Sequence, residues 1–165
     1  MAADAETAEW VLLSYRLPRE PSTPRITLWR KLKKLGVAQV TDNLVALPAD
    51  ARTREQFEWL AEEVTESGGQ AGVWVARPTT AAQHRELAAG IAESRAQEYR
   101  SLTEAARAAH LDGAGAAAVT RLRTRWREIT RRDFFPPPER EQARQALRTL
   151  TNEANIKVDG ESARR

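Results

Sequence analysis

Apolar and polar positions change their period along the chain and divide it into two parts. In the first part, short apolar runs alternate with two stretches in which apolar residues recur every three or four positions. The runs predict strands at 10–16, 37–40, 44–47 and 71–76, and the periodic stretches predict helices at about 24–35 and 53–67. The order strand, helix, strand, strand, helix, strand predicts a ferredoxin-like βαββαβ module, in which an antiparallel sheet lies under two helices.

Capping residues mark the ends of both predicted helices. For the first helix, Thr23 is a suitable N-cap, Pro24 suits the first helical position, and Gly36 ends the pattern. The second helix is predicted to begin with a capping box at Thr53 and Gln56 and to end before a glycine pair. The residues expected to face the core are Leu28, Trp29, Leu32 and Leu35 in the first helix, and Phe57, Leu60, Ala61 and Val64 in the second.

The second part of the chain is predicted to be helical. Alanine, arginine and glutamate dominate it, and we expect a long helix to about residue 110, a helix over 116–132, and a last helix over 139–154 after three prolines. The predicted fold class is therefore α+β, a ferredoxin-like module with a C-terminal helical extension. The predicted divisions are a ferredoxin-like domain at 10–78, a helical extension packed on it at 79–155, and flexible tails at 1–9 and 156–165.

Composition argues against several classes of function. The absence of cysteine excludes disulfides and thiol chemistry, and His84 and His110 each stand alone in a polar helical pattern, so we expect solvated histidines and no metal site. No nucleophile, histidine and acid form a recognisable set, and D-G-A-G at 112–115 lacks the lysine of a phosphate loop. We therefore expect no enzymatic activity and no cofactor.

Hydropathy gives no sign of a membrane protein. No apolar run approaches the ~18 residues that a membrane span needs. The first residues, M-A-A-D-A-E-T-A-E, carry acids and do not resemble a signal peptide. We expect a soluble, cytoplasmic protein without a membrane partner.

Charge is distributed unevenly along the chain. The net charge is +3, but residues 16–34 carry +6, residues 119–132 carry +5, and the remainder carries −8. Such asymmetry indicates an anionic partner, another subunit, or ion pairs between basic and acidic elements of the same fold.

The first basic stretch is the main candidate for a binding surface. At 100° per residue, the cations of the first helix fall away from its apolar stripe. Together with the arginines that precede them, they could hold the phosphates of DNA without reading its bases; the alternative is a solvated cationic helix. The candidate nucleic-acid or anion-binding residues are Arg16, Arg19, Arg25, Arg30, Lys31, Lys33 and Lys34.

The start of the same helix is a candidate oxyanion site. Ser22 and Thr23 stand where unpaired N–H groups and the helix dipole favour an anion, and arginines lie close in sequence. The alternative is that one of these two residues simply caps the helix.

Two other features are weaker candidates. Arg121, Arg125 and Arg127 surround Trp126, but packing against the acidic second helix would neutralise much of their charge. Trp59 lies opposite the core stripe of that acidic helix, and we expect the C-terminal helices to cover it, with self-association as the alternative.

Several phrases of the sequence together resemble a known family. They are W-V-L-L-S-Y-R-L-P at 10–18, L-W-R-K-L-K-K-L-G at 28–36, A-D-A-R-T-R-E-Q-F-E-W-L-A-E-E-V at 49–64, G-V-W-V-A at 72–76 and R-D-F-F-P-P-P at 132–138. In this order and spacing they resemble the N-terminal domain of the chromate-resistance regulator family ChrB. More distantly, the first two phrases resemble the domain that follows the winged helix in PaaX-type repressors, which is related to the ferredoxin-like fold.

The resemblance implies membership of a chromate-responsive regulatory system. It implies DNA as a partner, chromate as a possible effector, and a homodimer or a separate ChrB C-terminal-domain protein as a further partner. The alternative is an interaction module that does not bind DNA and works with such a separate domain.

The sequence departs from the related families in two respects. It shows no convincing helix-turn-helix, so readout of base sequence is expected elsewhere. Related nucleases carry an aspartate where the first strand of this chain ends in S-Y-R, so nuclease activity is not expected.

Overall fold

The structure is a computed structural model that describes residues 8–162, with side chains as far as Ile156. The predicted tail at 1–9 lies outside this range except for residues 8 and 9, and residues 163–165 of the predicted tail at 156–165 also lie outside it. The elements are β1 (Trp10–Arg16), α1 (Thr23–Leu35), β2 (Ala38–Thr41), β3 (Leu44–Pro48), α2 (Ala51–Glu66), β4 (Gln70–Ala76), α3 (Ala81–Leu111), α4 (Ala116–Thr130) and α5 (Glu139–Ser162).

The four strands form one antiparallel sheet in the order β2-β3-β1-β4. β1 lies in the middle, where Leu13 pairs with Val45 of β3 on one side and with Val73 of β4 on the other. A βαββαβ chain whose four strands take this order in an antiparallel sheet is a ferredoxin-like module. The α+β, ferredoxin-like fold class with a C-terminal helical extension is therefore confirmed.

Side chains along β1 alternate between the two faces of the sheet, which explains how the sheet packs against its helices. Val11 and Leu13 point to the same face of the sheet and are fully buried. α2 packs on β1 and β4, and its Phe57 and Val64 are buried, as is Leu28 of α1. Full burial of each such side chain contributes about 1.5–3 kcal/mol relative to exposure.

The start of α2 differs from the predicted capping box. Asp50 is the N-cap, and its carboxylate accepts a hydrogen bond of 2.7 Å from the backbone N–H of Thr53. The Thr53 hydroxyl accepts in return from the N–H of Asp50 and donates to the carbonyl of Pro48. The predicted Thr53–Gln56 box is wrong because Asp50, three residues earlier, is the N-cap, and the helix starts two residues earlier than predicted.

The chain forms two compact units, and the boundary between them lies inside α3, between Ile91 and Ala92. The predicted boundary lies at 78/79. The first unit contains the sheet, α1, α2 and the beginning of α3. There the indole N–H of Trp10 donates to Nδ1 of His84 over 3.2 Å, and the two rings make an edge contact. The prediction of a solvated His84 is wrong, because this side chain is half-buried against Trp10.

The second unit is helical and has its own core. The apolar spacing of the long helix predicts that Ser94 and Glu98 lie on its buried side. Instead the fully buried residues are Arg95 and Tyr99, one position further along. The Tyr99 hydroxyl donates to Asp133 over 2.8 Å; burial and this bond raise the pKa of Tyr99, and burial lowers the pKa of Arg95. The core consists of Tyr99, Leu102, Ala106, Val119, Leu122, Ile129, Ala143, Leu147 and Leu150.

α5 continues as a helix to Ser162, beyond residue 155, where the helical extension was expected to end. That the extension packs on the ferredoxin-like module stays a prediction. Within residues 8–162, no helix combines the length and the apolar character that crossing a membrane requires.

Candidate functional site

An open cavity of about 1160 Å³ lies in the first unit, at the end of β1. Four segments form its wall: the end of β1 with the loop that follows it, the first two turns of α1, the turn between β2 and β3, and the turn between α2 and β4. The residues that line it include Tyr15, Arg16, Arg19, Ser22, Arg25, Trp29, Arg30, Asn43, Gly69 and Gln70.

Four arginines of the predicted binding set line this cavity. Arg16 ends β1, Arg19 lies in the following loop, and Arg25 and Arg30 lie on α1. All four are exposed, and none lies within ion-pair distance of a carboxylate among the residues that the structure describes. Asp42 is the only acidic residue in the lining. The cavity is therefore strongly electropositive.

The three predicted lysines behave differently from the arginines. The Lys31 ammonium makes an ion pair of 2.6 Å with Glu63 of α2. The Lys33 ammonium stands over the ring of Trp29, 4.8 Å from its centroid, and Lys34 also interacts within the protein. None of the three lines the cavity. The predicted basic face thus consists of four arginines that line the cavity and three lysines that contact other groups of the protein.

Of the two predicted oxyanion residues, one lines the cavity and the other does not. Ser22 lines the cavity and occupies the N-cap position of α1, but its side chain makes no capping hydrogen bond. Its backbone is helical (φ −76°, ψ −18°), whereas a capping serine is extended. Thr23 is the first residue of the helix and does not line the cavity, so the prediction of Thr23 as N-cap is wrong.

Aromatic and amide side chains of the cavity were not predicted as site residues. The prediction that Trp29 faces the core is wrong, because 59% of its surface is exposed and it lines the cavity with Tyr15. Asn43 and Gln70 add side-chain amides to the same wall. The available signal was the position of Trp29, 100° around the helix from the buried Leu28 and next to Arg30.

A glycine allows the floor of the cavity to close. A Cβ on Gly69 would lie 2.3 Å from the carbonyl oxygen of Arg16 and 2.9 Å from Leu17 and Val64. The N–H of Gly69 donates to the carbonyl of Val64 over 2.9 Å, which ties the turn to the end of α2, and the next residue, Gln70, pairs with Arg16 at the end of β1. Residue 69 must therefore be glycine for the turn to pack this closely.

The weaker candidates lie elsewhere. In the second unit, Arg125 donates to the hydroxyl of Ser101 over 2.8 Å, while Arg121 and Arg127 are exposed on α4. Trp59 on α2 is 58% exposed. That the C-terminal helices cover it stays a prediction. Among residues 8–162, no group of three histidine or acidic side chains is arranged to hold a metal ion.

Comparison with known proteins gives one family. The profile described as "Protein ChrB, N-terminal" matches residues 25–112, which is just over half of the chain. Protein ChrB of Cupriavidus metallidurans is 30% identical over 99 residues, covering 60% of this chain and 30% of that protein. The chain thus aligns with less than a third of the length of this relative. No solved structure is significantly similar to the chain.

Proposed function

Because the chain belongs to the ChrB N-terminal-domain family, we propose that it is a non-enzymatic regulatory protein of chromate resistance that binds DNA through its arginine-lined cavity. Family membership supports the association with chromate resistance. The observation that carries the proposed DNA binding is the convergence of Arg16, Arg19, Arg25 and Arg30 on one open cavity.

Arginine is well suited to this role. Its planar guanidinium donates two parallel hydrogen bonds to a phosphate, and it stays charged at all physiological pH values. Four such groups without internal carboxylate partners in residues 8–162 leave their charge available to an external anion. A polyanion is the partner that can engage all four at once, since it presents phosphates at regular spacing.

The direct test is a binding titration on the upstream region of the gene across salt concentrations. Because each neutralised phosphate releases about 0.9 counterion, four arginine contacts predict a slope of log K against log salt of about −3 to −4. Fluorescence anisotropy of a labelled duplex measures this slope. A slope near zero, or no binding at 50 mM salt, would reject the proposal.

We further propose that chromate weakens the DNA complex. Chromate is a tetrahedral dianion, and the guanidinium groups that hold phosphate can also hold such an ion. At constant ionic strength, chromate is expected to lower DNA affinity more than chloride does, because a tetrahedral dianion can accept hydrogen bonds from more than one guanidinium group. Equal effects of chromate and chloride in the anisotropy titration would contradict this proposal, and a larger effect of chromate than of sulphate would show that the site selects chromate.

The second candidate function is an interaction module that does not bind DNA. It is favoured by Trp59, exposed on the acidic helix α2, and by Trp74 and Val75, both more than half exposed on the edge strand β4. Large exposed apolar residues of this kind are typical of protein contacts. Tight binding of a separate ChrB C-terminal-type domain, together with no DNA binding, would favour this function.

A further inference from the structure

The cavity contains more than phosphate binding requires. Contacts to the backbone of a duplex use cations and hydrogen-bond donors, and none of them needs the face of an aromatic ring. The bases of a duplex are stacked on one another, so its outer surface offers no ring face to an aromatic side chain. Yet Trp29 and Tyr15 lie in the same cavity as the four arginines, and Trp29 is 59% exposed.

Exposed aromatic side chains beside cations are typical of sites for unpaired nucleotides. Proteins that hold single strands combine a positively charged groove with rings on which successive bases stack. Here the cations are Arg16, Arg19, Arg25 and Arg30 and the rings are those of Trp29 and Tyr15. The side-chain amides of Asn43 and Gln70 add donors and acceptors that can meet base edges.

The size of the cavity agrees with this class of ligand. Pockets for single small ligands have volumes of about 300–1,000 Å³. At about 1160 Å³, the cavity exceeds this range and is far larger than a tetrahedral oxyanion needs. It can therefore hold more than one nucleotide.

We propose that the arginine-lined cavity binds a short unpaired segment of DNA, with phosphates on the arginines and a base stacked on Trp29. This inference rests on the proposed function, since both require the cavity to hold nucleic-acid phosphates. The Lys33 ammonium stands over one face of the indole, 4.8 Å from the ring centroid, so the opposite face of Trp29 is the one on which a base can stack.

The test compares two exposed tryptophans. Trp29→Ala is expected to weaken binding of a fluorescein-labelled oligothymidylate by about 5- to 150-fold, the loss that corresponds to one base stacked on an aromatic side chain. Trp59→Ala is the matched control, because Trp59 is 58% exposed, lies outside the cavity and carries the same mutation. Trp29→Phe keeps a ring and is expected to restore most of the affinity.

A second arm uses the wild-type protein alone. An abasic oligonucleotide of the same length has the same phosphates without bases, and it is expected to bind more weakly than oligothymidylate. This arm remains decisive even if a variant folds poorly, and circular dichroism checks each variant.

The outcomes separate this inference from the proposed function. Equal affinity of Trp29→Ala and Trp59→Ala for oligothymidylate, or equal affinity of wild type for abasic and thymidine strands, would overturn the single-strand inference while duplex binding still stood. Absence of binding to both duplex and single strands would overturn both.

Discussion

Replacing Arg16, Arg19 and Arg25 together with glutamate is expected to weaken DNA binding by about a hundredfold or more at 100 mM salt. Each substitution removes a charge-assisted contact to phosphate and introduces a charge that repels it. The slope of log K against log salt should also fall by about three, because three fewer counterions are released. Anisotropy titrations of the labelled duplex measure both quantities.

The matched control places the same charge change in the second unit. Arg107, Arg121 and Arg123 are exposed and make no ion pair with a carboxylate among residues 8–162. Their replacement with glutamate changes the net charge by the same amount but leaves the cavity intact. We expect a small, uniform loss of affinity from the lower net charge and an unchanged salt slope.

Equal losses in the two triple variants would mean that DNA responds to overall charge and not to the cavity. Loss of the α-helical circular dichroism signal in the cavity variant would also disqualify its result. That outcome is not expected, because all three cavity arginines are exposed and outside the apolar core.

The fold of the first unit could be predicted because its signals are local. β1 begins and ends at the predicted residues, and the hairpin turns at the predicted Asp42-Asn43 pair. α2 ends where Gly68 takes a positive φ of 82°. Strand alternation, turn residues and helix-breaking glycines act within a few positions of one another, so the sequence alone reveals them.

The cavity itself could be predicted only in part. Arg16, Arg19 and Arg25 are close in sequence, but Asn43 and Gln70 reach the same wall only because the sheet order places β3 and β4 on either side of β1. Lys31 is not available to an external anion in the same way, because its ammonium pairs with Glu63, a residue 32 positions further along the chain. A helical wheel gives the direction of a cation but not the partner on the neighbouring helix.

The long helix shows a different limit. A wheel drawn on Leu87, Ile91 and Leu102 passes through Ser94 and Glu98, because these two positions continue the helical period of the apolar residues. The buried residues are instead Arg95 and Tyr99, whose polar atoms lie near Asp133 from another part of the second unit. Sequence patterns underestimate arginine and tyrosine as buried residues, since their burial depends on such distant partners.

Gly69→Ala is expected to lower the free energy of unfolding by about 3 kcal/mol, the upper end of the cost of overpacking. The new methyl group would lie 2.3 Å from the Arg16 carbonyl oxygen. That oxygen belongs to the backbone of β1 and cannot move aside as a flexible side chain would. Either the turn between α2 and β4 shifts away or β1 bends, and both disturb the cavity floor.

Thermal unfolding followed by circular dichroism measures this loss, with an expected decrease in Tm of about 6–12 °C for a chain of this length. Gly90→Ala is the control: its Cβ would meet nothing within 4 Å, and alanine in a helix interior adds up to about 1 kcal/mol of stability. We expect this variant to match or exceed the wild type in Tm. In contrast, DNA affinity of folded Gly69→Ala should fall at 10 °C, because Arg16 is displaced together with its carbonyl. An unchanged Tm for Gly69→Ala would contradict the close packing of residue 69 against the carbonyl of Arg16.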